Sequence, residues 1–179
     1  HVFSEMFAPS LLQPLNQWAS DNQVKVCAGV DIGGSGLRIR LSNANNHDQF
    51  VDIPHIRAQS TKDLVESLTN LQEALNELVP NYECLGAALA VAGPIKNGTV
   101  ILTNWPGEPD VRTLTLDDLP QKLFPKAKTA FLNDLEAGAY GVIAADELHI
   151  LDSHFVQLWS NIAPKGPIVS NTRTAVMAL

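Results

Sequence analysis

The stretch VKVCAGVDIGGSGLRIRL, residues 24–41, decides how the rest of the chain is interpreted. Its first half is almost continuously apolar up to Asp31, and its second half alternates apolar with basic residues from Leu37 onward, so both halves predict β-strands. Residues 33–36, GGSG, separate the two halves, and clustered glycines mark a tight turn. The stretch therefore predicts an antiparallel hairpin closed by a glycine-rich loop.

The composition of the 179 residues narrows the class of protein. Hydrophobic residues make up 45% and charged residues 17%, which excludes disordered and coiled-coil chains and favours a globular domain. A net charge of −7 argues against a nucleic-acid-binding surface. No apolar run approaches the roughly 18 residues of a membrane span. Cys27 and Cys84 stand inside apolar runs, which is typical of buried, reduced thiols.

Hydrophobic spacing elsewhere predicts helices and strands in alternation. Leucines at intervals of three and four follow a capping box at residues 60–63 and predict a helix that ends before Pro80. A second capping box at residues 115–118 predicts another helix, ending near Pro125. Asn97-Gly98 predicts a type I′ turn that joins strands over 91–92 and 99–102. Further elements are a helix over 9–20, strands over 50–53, 85–92, 129–133 and 174–179, and a helix over 134–144.

The glycine-rich loop has the chemistry of a phosphate cradle. Gly33 and Gly34 allow backbone amides to approach an anion, and Ser35 adds a hydroxyl. A P-loop would need Lys where Ser35 stands, and a dinucleotide fingerprint would need glycine in place of Ile39 and a helix after it. Asp31 would repel bare phosphate, so the pattern favours a nucleotide carried with Mg²⁺. The alternative is an ordinary glycine-rich turn in which Asp31 is a turn former.

A second candidate site stands where a predicted strand passes into a helix, at Asn133 and Asp134. Open sheets commonly hold functional groups beyond the carboxyl ends of their strands. Asp134 could accept the proton of a substrate hydroxyl, and Asn133 could bind sugar hydroxyls. The alternative is that Asp134 only caps the helix.

These motifs together resemble a known family. Residues 31–35, DIGGS, resemble the first phosphate motif of the hexokinase, actin and Hsp70 superfamily. Residues 90–95, AVAGPI, and 102–105, LTNW, resemble the bacterial-type glucokinases. Residues 132–141, LNDLEAGAYG, resemble the catalytic segment of that family, especially in its protist members. The similarity covers residues 25–179 in matching order and spacing.

The resemblance implies a fold and an activity. The fold is α/β, an actin-like ATPase (ribonuclease H-like) domain whose mixed five-stranded sheet has three antiparallel and then parallel strands, with helices on both faces. The activity is ATP-dependent phosphorylation of D-glucose at the 6-hydroxyl, the first step of glycolysis, with Mg²⁺ as the accompanying metal. Kinases for another hexose or amino sugar, and an inactive sugar-binding regulator, are the alternatives.

The resemblance also implies a role for each motif residue. On the sugar side, Asp134 is the general base, and Asn133 and Asn104 bind the sugar. On the phosphate side, the residues that face ATP are Gly33, Gly34 and Ser35, with Asp31 acting indirectly near the metal. Ser35 stands where the family usually has Thr, and it keeps the hydroxyl.

The same resemblance implies how the chain is organised. Residues 1–22 are expected to form a helical extension and residues 23–179 the N-terminal, small lobe. The second phosphate loop, Gly-Thr-Gly-Leu-Gly, and the C-terminal lobe would lie beyond Leu179. The expected partners are glucose and ATP, with no nucleic acid and no membrane. A cytoplasmic location is expected, and a peroxisome-like organelle and a homodimer are left open.

Overall fold

The computed structural model describes residues 9–20 and 25–151. The elements in chain order are α1 (Pro9–Ser20), β1 (Lys25–Gly33), β2 (Gly36–Asn43), β3 (Asn46–Arg57), α2 (Thr61–Leu78), β4 (Glu83–Val91), β5 (Ile95–Lys96), β6 (Thr99–Ile101), α3 (Pro109–Arg112), β7 (Thr113–Thr115), β8 (Thr129–Asn133) and α4 (Asp134–Glu147). They fall into two compact units, which divide between Asn133 and Asp134. The strand predicted over 174–179 lies outside the described residues.

A five-stranded sheet in the order β3-β2-β1-β4-β8 forms the centre of the first unit. The pairs β1–β2 and β2–β3 are antiparallel, whereas β1–β4 and β4–β8 are parallel. This confirms the predicted mixed sheet. Its antiparallel half comes from short turns between consecutive strands, and its parallel half requires crossover connections, the first of which contains α2.

Helix α2 forms as its sequence predicts. The Ser60 hydroxyl accepts a hydrogen bond from the Asp63 amide at 3.1 Å, which caps the first turn. Its buried residues recur at helical spacing and include Leu64, Leu68 and Leu71. Helix α1 packs against β3 and buries Leu15 and Trp18 in the same core.

The helix predicted after residue 115 was wrong. The capping box is present, with the Thr115 amide donating to the Asp118 carboxylate at 2.8 Å, but it opens only a 3-10 turn over Leu116–Asp118. Leu119 has an extended backbone with ψ 150°, because a residue that precedes proline is disfavoured in the helical region. Pro120 therefore ends the helical turn as soon as it has begun.

The turn at Asn97 and Gly98 was predicted correctly, but the strand leading into it was not. Both residues have positive φ, 52° and 71°, as a type I′ turn requires. The strand before the turn is β5, and β6 pairs further with β7 to give a second, three-stranded sheet. Strand β4 ends at Val91. Over residues 9–20 and 25–151, no helix is both long enough and apolar enough to cross a bilayer.

Candidate active site

The glycine loop closes the hairpin between β1 and β2, where Gly33 pairs with Gly36. Gly36 has φ +142°, a conformation that L side chains rarely adopt. A Cβ there would overlap the carbonyl oxygen of Ile56, so β3 runs directly against the loop. Glycine at this position is therefore required both by the backbone conformation and by the close approach of the neighbouring strand.

The segment that contains Asn104 and Trp105 also contacts the glycine loop. Trp105 is buried, and its Nε1 donates a hydrogen bond to the Gly33 carbonyl oxygen at 2.8 Å. The Cβ and carbonyl oxygen of Asn104 both lie 3.7 Å from the point that a Cβ on Gly34 would occupy. The fold thus brings Asn104 to the glycine loop, although some 70 residues of chain separate them.

The carboxyl ends of the parallel strands bring Asn133 to the same edge of the sheet. Ile32 of β1 pairs with Val91 of β4, and Val91 pairs with Asn133 of β8. Because neighbouring strands lie about 4.8 Å apart, Asn133 is about 10 Å from the end of β1. The glycine loop and Asn133 therefore lie at the same edge of the sheet.

Asp134 begins helix α4 in the second unit, and its side chain is exposed. Its Oδ1 accepts a hydrogen bond from the next amide, that of Leu135, at 2.9 Å. This contact is local, but it goes to the next amide rather than to the amide two or three residues on that a helix cap would bind. Among the residues that the structure describes, the contact engages only one of the two carboxylate oxygens, so Asp134 has capacity to accept a further hydrogen bond.

Asp31 provides the negative charge near the loop and faces a cation. Its Oδ2 lies 3.6 Å from Nη1 of Arg38, and both side chains are more than half exposed. From the sequence, Arg38 and Arg40 on one side of the strand were interpreted as a solvated pair, so this contact was missed. The hairpin itself was the available signal, because once Gly33 pairs with Gly36, Asp31 must pair with Arg38 across the strands.

The donor set at the loop fits a magnesium ion carried by a nucleotide. Mg²⁺ in such sites is bound by one or two carboxylates, with phosphate and water oxygens completing its octahedron. Asp31 supplies one exposed carboxylate beside the loop. No cluster of three or more His, Cys, Asp or Glu gathers into a metal cage within the described part of the chain.

The Ser35 hydroxyl has a side-chain neighbour from β3. It lies 3.3 Å from Nε2 of His55, a contact that sequence reasoning also missed.

The two cysteines, Cys27 and Cys84, are both free. Burial raises the pKa of both thiols. A raised pKa keeps a thiol protonated and a poor nucleophile, so neither cysteine is a candidate for covalent catalysis.

The sheet order and the glycine hairpin define a protein of the actin-like fold. The family profile described as Glucokinase matches residues 28–159. The chain belongs to the glucokinase family.

Known glucokinases resemble the chain closely. It is 55% identical over 176 residues to Probable glucokinase 2 of Trichomonas vaginalis, covering 97% of this chain and 47% of that protein. It is 52% identical over 174 residues to Glucokinase 1 of the same organism, covering 97% of this chain and 46% of that protein. The chain thus spans about half the length of the curated relatives it matches.

Solved structures agree with this assignment. The structure of glucokinase from Balamuthia mandrillaris in complex with glucose is similar, with a TM-score of 0.74 and 34% sequence identity. The match covers 86% of this chain and 42% of the Balamuthia chain. Leishmania braziliensis glucokinase has a TM-score of 0.63 and 29% sequence identity. That match covers 83% of this chain and 41% of the Leishmania chain.

Proposed function

We propose that the full-length protein transfers the terminal phosphoryl group of ATP to the 6-hydroxyl of D-glucose. One observation carries the proposal: the glycine loop with Asn104 beside it, and Asn133 about 10 Å away, lie at one edge of the sheet in a chain of the glucokinase family. A phosphate cradle beside sugar-binding amides is the arrangement that phosphoryl transfer to a sugar needs. The relative with a glucose complex supports the choice of sugar.

The phosphate side of the proposed site uses the hairpin loop. Gly33 and Gly34 let their backbone amides reach the phosphate oxygens, and Ser35 donates its hydroxyl. Asp31 would act on a hydrated Mg²⁺ rather than on phosphate directly. When bound, Mg²⁺ neutralises charge on the phosphate oxygens. Trp105 fixes the direction of the Gly34 amide, because that amide shares a peptide plane with the Gly33 carbonyl that Trp105 binds.

The sugar side of the proposed site uses amides and one carboxylate. Asn133 and Asn104 each offer a carbonyl oxygen and an NH₂ group, which suit sugar hydroxyls as donors and acceptors. Asp134 would accept the proton of the 6-hydroxyl as its oxygen attacks phosphorus. Residues 23–179 are proposed as the small lobe of the kinase and residues 1–22 as an extension.

The decisive experiment measures ADP release by the full-length protein with Mg-ATP against glucose, fructose, mannose, glucosamine and N-acetylmannosamine. Asp134→Asn keeps the shape of the side chain and removes its basicity, so kcat with glucose should fall about 10²- to 10⁴-fold. Glu136→Gln is the matched control, because it removes an exposed carboxylate from the first turn of the same helix.

Glucose-selective turnover that Asp134→Asn lowers about 10²-fold or more and Glu136→Gln preserves would support both the reaction and the base. Turnover with a different sugar would favour the alternative kinases. Sugar binding without ADP release would favour the regulator. Undiminished turnover of Asp134→Asn would refute its role as the base.

A further inference from the structure

A pocket of about 550 Å³ opens beside the glycine loop. Its size is within the range of small-molecule sites. The residues that line it are Ser35, His55, Arg57, Ala58, Gln59 and Asp63. Ser35 is thus shared by the pocket and the loop, so a group bound in the pocket would touch the hydroxyl proposed to contact phosphate.

A bulge in the edge strand β3 contributes His55 to this pocket. Leu37 pairs with Ile56 but Ile39 pairs with Ile53, so β3 carries one extra residue between these two pairs. Pro54 and His55 are consecutively exposed there, which breaks the alternation of the strand. Bulges re-aim side chains next to functional sites. Here the bulge brings His55 Nε2 to 3.3 Å from the Ser35 hydroxyl.

Arg57 brings a positive charge to the pocket, which is also lined by the carboxylate of Asp63. It pairs with Gly36 across the strands, so its backbone adjoins the loop. Among the residues that the structure describes, its guanidinium makes no hydrogen bond and no ion pair, whereas Arg40 on the neighbouring strand binds Asp52 through two nitrogens. A guanidinium offers a fork of donors that matches phosphate oxygens.

Resting on the proposed function, we propose that this pocket is a second phosphoryl subsite. It binds a phosphate group through Arg57, and His55 positions the shared Ser35 hydroxyl. The phosphate chemistry fits two sources, the terminal phosphate of the nucleotide donor and the phosphate of the phosphorylated sugar. Asp63 also lines the pocket and would repel an anion, so removing its charge should strengthen phosphate binding.

The test uses the full-length protein and four variants. Arg57→Ala should weaken phosphate ligands about 10-fold, since charged hydrogen bonds are the stronger kind. Arg57→Lys should retain part of the affinity, because it keeps the charge and loses the fork. Asp63→Asn should strengthen the same ligands. Arg40→Ala is the matched control, since it removes an exposed arginine of the same sheet outside the pocket.

Two kinetic readouts separate the sources. A higher KM for Mg-ATP with an unchanged KM for glucose assigns the subsite to the donor. A weaker inhibition constant for glucose 6-phosphate, with the ATP KM unchanged, assigns it to the sugar phosphate. Thermal melting checks that each variant is folded.

The proposal is overturned if Arg57→Ala behaves like Arg40→Ala toward ATP and glucose 6-phosphate alike, or if Asp63→Asn weakens them as Arg57→Ala does. If wild-type protein turns over no sugar, the proposed function fails separately. Calorimetry with ATP and with inorganic phosphate then decides the subsite: affinity lost in Arg57→Ala alone supports it, and equal affinity in Arg57→Ala and Arg40→Ala overturns it.

Discussion

Replacing Trp105 with Phe tests whether a buried indole orients the glycine loop. Trp105 is 3% exposed, and its only polar atom donates to the Gly33 carbonyl at 2.8 Å. That carbonyl and the Gly34 amide belong to one rigid peptide plane. Phenylalanine would keep most of the apolar packing of Trp105 and remove its hydrogen bond. The loop would then lose the contact that orients it while an aromatic ring still packs beside it.

The size of the effect follows from two contributions. The lost hydrogen bond costs about 1 kcal/mol of unfolding free energy. The smaller ring leaves a cavity that adds about 1 kcal/mol. We therefore expect Trp105→Phe to destabilise the protein by about 2 kcal/mol. We also expect the KM for Mg-ATP to rise about fivefold, the equivalent of one hydrogen bond lost in orienting the Gly34 amide.

Trp18→Phe is the matched control. Trp18 is 6% exposed, and its Nε1 donates to the backbone oxygen of Gln49 at 3.2 Å, away from the loop. Urea denaturation should show a similar loss of stability in both variants. Steady-state kinetics of the full-length protein should show a higher ATP KM only in Trp105→Phe. An ATP KM that rises equally in both variants, or in neither, would refute the orienting role of Trp105.

Two further predictions concern the sheet around the loop. Gly36→Ala should destabilise the protein by about 3 kcal/mol or more, because the positive φ of Gly36 and the Ile56 carbonyl both exclude a Cβ. Gly29→Ala is the control, since the space around its Cβ is open, and thermal melts should show a far smaller loss of stability. Hydrogen bonds from Arg40 lower the pKa of the Asp52 carboxyl, so this pair stabilises the fold above the ordinary carboxyl pKa and loses that effect as pH falls through the lowered value. Since the pair is exposed, Asp52→Asn should lower the free energy of unfolding by roughly 0.2–1 kcal/mol at pH 7 and leave it unchanged in strong acid. Urea titrations that show the same loss of stability at every pH would contradict this.

Local signals in the sequence predicted the elements that local physics controls. The β1–β2 hairpin follows from its glycines, and α2 follows from a capping serine, Ser60, and the spacing of its leucines. The segment after Thr115 shows the limit of such signals. Its capping box forms, but Pro120 prevents the helix that the box would otherwise begin.

The short second sheet was beyond sequence reasoning for a different reason. Strands β5 and β7 have only two and three residues, too few for a period of two to be recognised. Only their pairing with β6 makes them strands. The bulge that turns His55 toward Ser35 is equally invisible, because it is a mismatch between two strands rather than a property of either.

By itself, then, the sequence determined the glycine hairpin and helix α2, because these depend on residues close together along the chain. The roles of Asp31, Ser35, Asn133 and Asp134 stay predictions from the sequence. Tertiary structure alone decided which distant groups meet at the loop. Trp105 and Asn104 reach it through the packing of a remote segment, and Arg57 reaches it through the register of an edge strand. Contacts of this kind depend on the whole sheet being folded, and no local pattern encodes them.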